Sequence, residues 1–126
     1  MKTERKYLDD FEMSLLEEYG IKRLKKRYDV SDLLDMLPKK WKEGNKRDRN
    51  ESWNGIQIEY DYGMSQWTCT TPHWFYSGAC GLVTWNNVRG DTMVECLFNA
   101  VLTLAKYDRN YLKKTYVVED WKYKEN

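Results

Sequence analysis

Residues 56–71 read IQIEYDYGMSQWTCTT. Ile56, Ile58, Tyr60 and Tyr62 alternate with Gln57, Glu59 and Asp61, the period of two that gives a strand one apolar and one wet face. Gly63-Met64-Ser65 is a turn, and Gln66 to Thr71 returns with Trp67 and Cys69 on one face. The pattern predicts an antiparallel hairpin with a short, glycine-containing loop. Pro72 is expected to close the second strand. A third strand is expected at Leu82 to Asn86, reached through a loop over Pro72 to Gly81.

Downstream, Thr92 followed three residues later by Glu95 is a capping box that opens a helix. Val94, Leu97, Phe98, Val101, Leu102 and Ala105 then recur at helical spacing as a broad apolar stripe. Laid on the sheet, that stripe forms the main core. The tail from Tyr111 onward includes Tyr116-Val117-Val118, a candidate edge strand.

Upstream, Leu8, Phe11, Leu15, Leu16 and Tyr19 predict an amphipathic helix over Glu4 to Glu18, stopped by Gly20. Ser31 is the expected N-cap of a short helix from Asp32 to Leu37, ended by Pro38. Residues 39–52 are polar, charged and glycine-containing, and are expected as an exposed loop. Helices first, a small antiparallel sheet built on a β-hairpin, then a covering amphipathic helix make an α+β domain. At 126 residues the chain fits a single domain, 1–126. Six tryptophans and ten tyrosines supply large rings to its core.

Charge is balanced overall, 21 basic against 20 acidic residues, but not along the chain. Lys22 to Arg49 holds 11 basic and 5 acidic residues, whereas residues 51–126 hold 7 and 9. A polyanion contact is therefore expected in the first half. The opening Met1-Lys2-Thr3-Glu4-Arg5-Lys6 leads into acids, so a secretory leader is not expected. Nothing approaches a bilayer-spanning apolar run. Three cysteines without an export signal fit reduced thiols and a cytoplasmic setting.

No phosphate-binding glycine loop is present, and no cofactor is implied. Cys69, His73, Cys80 and Cys96 are the conceivable zinc ligands, but Cys80 and Cys96 stand alone, and no metal site is expected. Cys80 with His73 is the conceivable nucleophile and base, although the flanking glycines are ordinary turn residues. No catalytic residue is assigned. Lys39, Lys40, Trp41, Arg47 and Arg49 carry a nucleic-acid reading, cations for phosphates and a ring for a base. Trp74, Phe75 and Tyr76, expected in the loop after Pro72, carry a protein-binding reading. Three consecutive rings in a loop cannot all face inward.

The Leu37-Pro38 stop, the hairpin of residues 56–71 and the helix opened by Asp91-Thr92 together resemble small accessory proteins of phages and mobile elements. The resemblance spans about residues 31–107 and is one of pattern, with no motif whose residues carry over. It implies a non-enzymatic protein that binds and inhibits host machinery such as a defence complex. The alternatives are a nucleic-acid-binding module using the basic 22–49 region and a homo-oligomer that holds a small ligand.

Overall fold

The computed structural model describes residues 4–37, 39–45, 50–77 and 80–107, with backbone alone for 40–45, 50–54, 72–77, 80–86 and 107. Two short helices, α1 (Asp10–Glu18) and α2 (Val30–Met36), precede five strands and a longer helix. The strands are β1 (Lys40–Asn45), β2 (Asn50–Gly55), β3 (Ile58–Asp61), β4 (Gln66–Ser77) and β5 (Cys80–Gly90), and α3 is Met93–Tyr107. They form one antiparallel sheet in the order β2-β1-β5-β4-β3. The architecture is α+β, with α3 packed on β4 and β5.

Each helix begins where a side chain can take up orphan backbone donors. In α1 this is Asp9, which accepts from Glu12 N at 2.8 Å while the Glu12 carboxylate accepts from Asp9 N at 3.0 Å. The helix therefore starts later than the Glu4 expected from its apolar spacing. Glu4 to Leu8 instead runs as a strap, with Leu8 N donating to Tyr28 O and Tyr7 bridging Asp29. Phe11, placed by spacing on the apolar face, is 74% exposed. Gly20 does stop α1, at φ 93°, and its Schellman bonds run from Gly20 N to Glu17 O and from Ile21 N to Leu16 O.

The cap of α2 is Asp29 and not Ser31. Asp29 accepts from Asp32 N at 2.9 Å, and Asp32 reciprocates to Asp29 N. The bridge to Tyr7 holds Asp29 in the extended conformation an N-cap needs, which decides between two acceptable cap residues. Between α1 and α2 the irregular chain is pinned by buried Tyr28. Its hydroxyl donates to Lys22 O at 2.6 Å and accepts from Leu24 N at 3.0 Å.

The segment 39–52, expected as an exposed loop, contains β1 and the first half of β2, paired from Lys40↔Gly55 to Asn45↔Asn50. The loop expected over Pro72–Gly81 is likewise mostly strand. β4 and β5 pair without interruption from Trp67↔Gly90 to Ser77↔Cys80, so the third strand is real and longer than its apolar run. Pro72 does not end β4, and the geometry explains why. Thr70 N donates toward β3, to Gln57 O, and residue 72 presents its nitrogen on the same side, past the Ile58↔Cys69 pair where β3 begins. No described strand pairs there, so the missing N–H breaks no ladder bond. The 56–71 hairpin is present, its turn held by Asp61 accepting from Gly63 N and Met64 N. The candidate strand at Tyr116-Val117-Val118 lies outside the described residues.

Among the described strands β2 and β3 are the two edges of the sheet, yet only Ile56 and Gln57 join them. Three Cα steps span at most about 11 Å. Four inter-strand spacings in a flat sheet would separate the edges by roughly 19 Å. The sheet is therefore strongly coiled, bringing its edges together.

The α3 stripe is as read: Val94, Leu97 and Val101 are fully buried, and Phe98, Leu102 and Ala105 nearly so. Cys96, Ala100 and Leu104 are fully buried as well. At 100° per residue the buried arc covers roughly two-thirds of the helix. The reason is that α3 is a middle layer, with β4 and β5 on one side and α2 and α1 on another. Its N-terminus is doubly capped, by Thr92 Oγ1 to Glu95 N at 3.2 Å and by Glu4, which accepts from Met93 N at 2.7 Å. Thr71 Oγ1 is buried and, among the described residues, has no hydrogen-bond partner. Thr71→Val removes that hydroxyl at nearly constant shape, and should raise stability by about 1 kcal/mol in urea titration.

Candidate binding surfaces

The sheet holds the described members of the two sequence candidates, Lys39 apart, on β1 and β4, the two neighbours of β5. β5 residues near Val83 lie between β1 and β4, so a single ladder row runs Glu51–Gly44–Val83–Trp74. Lys40 and Trp41 belong to β1, and Trp74, Phe75 and Tyr76 lie opposite Val83, Leu82 and Gly81. The rings therefore sit in a strand and not in a loop. Positions 74 and 76 share one sheet face and 75 the other, by the period of two.

The basic candidates divide. The Lys39 ammonium donates to Leu34 O and, at 2.7 Å, to Leu37 O, the last carbonyls of α2. Burial lowers its pKa. Lys39 is thus a helix cap. Arg47 and Arg49 lie outside the described residues. In the run from Lys22 to Arg27, Arg23 pairs with Asp10 and Glu17, Lys25 with Asp32 at 2.5 Å, and Arg27 with Asp10. The hydrogen bond to Asp32 raises the pKa of Lys25. Much of the local positive excess is therefore met from within the fold.

The backbone register spaces out the residues of the metal and nucleophile readings. Cys69 and His73 are four positions apart on one strand, about 13 Å at 3.3 Å per residue. On a helix the same spacing would bring them together. His73 pairs with Thr84, and Cys80 with Ser77, again four positions along the ladder. Among the described residues no three His, Cys, Asp or Glu side chains gather as metal ligands.

Cys69 and Cys96 are packing residues. Both are fully buried, and Cys96 Sγ lies 3.5 Å from Val88 O. Burial pushes their pKa values up to about 11 and about 12. Unfolded, both ionise near the ordinary value of about 8.5. Above that pH the unfolded chain binds fewer protons, so the stability contributed by the neutral thiols is complete below it. It is lost as pH rises through roughly 8.5–12, by up to about 1.4 kcal/mol per pH unit for each thiol. Urea midpoints between pH 8 and 10 should fall less steeply in the Cys69→Ala, Cys96→Ala protein than in the parent.

A second surface was not legible in the sequence. The strap, α2, Trp67 and Met93 enclose an open groove of ≈ 750 Å³. Val30, Leu34, Trp67 and Met93 give it an apolar floor, and Glu4, Arg5, Lys6 and Asp29 supply its charges. Beyond it, Trp67 meets Tyr60 edge-to-face at 5.3 Å, and Tyr60 meets Tyr62 at 5.2 Å. No family model, curated protein or solved structure matches the chain. Both surfaces therefore stand on their own chemistry. No described helix is long and apolar enough to cross a membrane.

Proposed function

We propose that this protein is a non-enzymatic binding protein that holds a protein partner on the distal half of its sheet, around β1, β5 and the end of β4. The observation that supports this reading is the ladder row Glu51–Gly44–Val83–Trp74, which sets the basic β1 and the aromatic β4 on either side of one strand. Tryptophan and tyrosine are favoured interface anchors, and nearby cations set orientation and on-rate. The wider proposal is an inhibitory factor of a phage or mobile element acting on host machinery such as a defence complex. It rests on the order of elements and on this surface. Trp74→Ala with Tyr76→Ala is expected to weaken partner capture at least tenfold while far-UV circular dichroism is unchanged. Undiminished capture by that folded variant removes the assignment.

A second reading, single-stranded nucleic acid, uses the lysines of β1 with the rings of β4. Lys42 and Lys40 of β1 lie two and four positions along from the row that holds Trp74, in the same sheet as a strand bearing successive rings, and phosphate neutralisation with stacking is the combination such modules use. Affinity for a thymidine oligonucleotide should then fall with salt, and replacing both lysines should reduce the logarithmic slope by about 1.4. Lys39→Ala, which removes a helix cap, should leave that slope unchanged. Salt-independent retention of the oligonucleotide, or none, excludes this reading.

A further inference from the structure

We propose that the open edge of β3 is a docking site for an extended segment of a protein partner, one that alternates basic with apolar side chains and joins the sheet as a further strand. The site uses no residue of the distal sheet, so it stands or falls apart from the reading above.

The backbone supplies the first half of the site. Gln57 O accepts from Thr70 N, and Glu59 O accepts from the Thr68 hydroxyl at 3.4 Å, so residues 57 and 59 turn their polar groups toward β4. Along an antiparallel strand these groups point to alternate sides, so Ile58 and Tyr60 present theirs at the outer edge. None of the described strands pairs there. A row of open N–H and C=O groups is a template for another chain. Of the six large apolar side chains exposed among the described residues, three, Tyr60, Tyr62 and Met64, lie on β3 and the turn behind it. Tyr60 stands between Trp67 and Tyr62, meeting each edge-to-face, and Tyr62 is 87% exposed. An added strand would lay alternate side chains against those rings, where branched and aromatic residues pack well.

Charge selects the occupant. The opposite face of the hairpin carries the row Glu59–Thr68–Arg89, with Asp61 beside it. Arg89 donates to Asp61 at 3.0 Å, and those two charges cancel. Glu59 is exposed and, among the described residues, has no ion pair. Two carboxylates against one guanidinium leave this face with an uncompensated negative charge, on the strand that forms the edge. No lysine or arginine occurs from residue 50 to residue 88, so the hairpin supplies no cation of its own. A basic side chain opposite Glu59 on an added strand is therefore favoured, and an acidic one is repelled. The same charges reject a second copy of this chain. Antiparallel pairing of β3 with itself, centred on Glu59 or on Tyr60, sets Glu59 opposite Glu59 or Asp61 of the copy. Main-chain bonds thus give the affinity, and Glu59 with the Tyr60–Tyr62 rings gives the preference.

The test is fluorescence polarisation of an end-blocked heptapeptide of alternating lysine and valine against the full chain. Its Kd should rise at least about fivefold in Glu59→Lys, and the same peptide with glutamate in place of lysine should bind Glu59→Lys better than the parent. Tyr60→Pro removes an outward N–H that β4 does not use, and should weaken binding more than Tyr60→Val, which keeps it. Trp74→Ala should leave Kd unchanged, and far-UV spectra of the variants should match the parent. The proposal is overturned by the absence of binding below about 1 mM peptide. It is overturned equally if a peptide with its lysines and valines in separate blocks binds as well, if Glu59→Lys leaves Kd unmoved, or if folded Tyr60→Pro and Tyr60→Val bind alike. Loss of binding in Trp74→Ala assigns the peptide to the distal sheet and overturns it too. A dimer in sedimentation that Tyr60→Pro dissociates overturns it as well, and gives the edge to a second copy.

Discussion

Gly90→Ala is expected to lower stability by at least about 3 kcal/mol and the melting temperature by roughly 10–15 °C, followed by circular dichroism. Gly90 is buried in β5 opposite Trp67, where α3 returns across the strand it has just left. A Cβ there would stand 2.4 Å from Cys96 N, 2.7 Å from Cys96 Cα and 2.9 Å from Glu95 C. These are backbone atoms in the first turn of α3, so no side-chain rotation relieves the clash. The helix must lift away, and its caps from Thr92 and Glu4 are strained with it. Overpacking usually costs about 1–3 kcal/mol, and an obstacle made of backbone places this site at or above the top of that range. Gly55→Ala is the matched control. The nearest atom to its Cβ is Lys39 O at 3.6 Å, an ordinary contact, and its melting temperature should stay within a few degrees of the parent. Similar melting of the two variants would mean that α3 does not approach β5 so closely.

What could be read in the sequence was whatever a local pattern encodes. The 56–71 hairpin carries its alternation and its Asp61-Gly63 turn within sixteen residues. The α3 stripe and the Thr92 cap are equally local. The β1–β2 hairpin was missed because KWKEGN and NESWNG hold no apolar alternation. Strand formation there follows from pairing, with β1 meeting β5 at Gly44↔Val83, and strand propensity depends strongly on such neighbours. Pro72 misled for the opposite reason, since a proline ends a strand only where its absent N–H is needed. The full width of α3's buried arc, which adds Cys96, Ala100 and Leu104 to the stripe, was hidden because α3 packs on α1 and α2 as well as on the sheet, a layering that one helix's periodicity does not reveal. The groove is the least local feature of all. Lys6, Asp29, Trp67 and Met93 share no pattern and meet only through the strap, whose place depends on Tyr7 bridging Asp29 and Glu4 capping α3.

That layering fixes the second large effect. Leu97→Ala should cost about 2–5 kcal/mol, seen as a lowered urea midpoint with an unchanged m-value. Leu97 is fully buried in the helix that separates the sheet from α1 and α2, and it lies two turns before Leu104 on the same face. Removing its branched end empties a space that three layers would have to close together. Two of those layers are held in place, α3 by its double cap and the N-terminal region by the Arg5–Glu12 bonds and the Asp9 and Asp29 capping boxes. Little collapse is available, so the cost should fall in the upper half of the range. Leu24→Ala is the contrast, because its side chain is 76% exposed, and it should change stability by less than about 0.5 kcal/mol. If Leu97→Ala were nearly neutral, α3 would not be the middle layer, and the burial of roughly two-thirds of its circumference would lose its explanation.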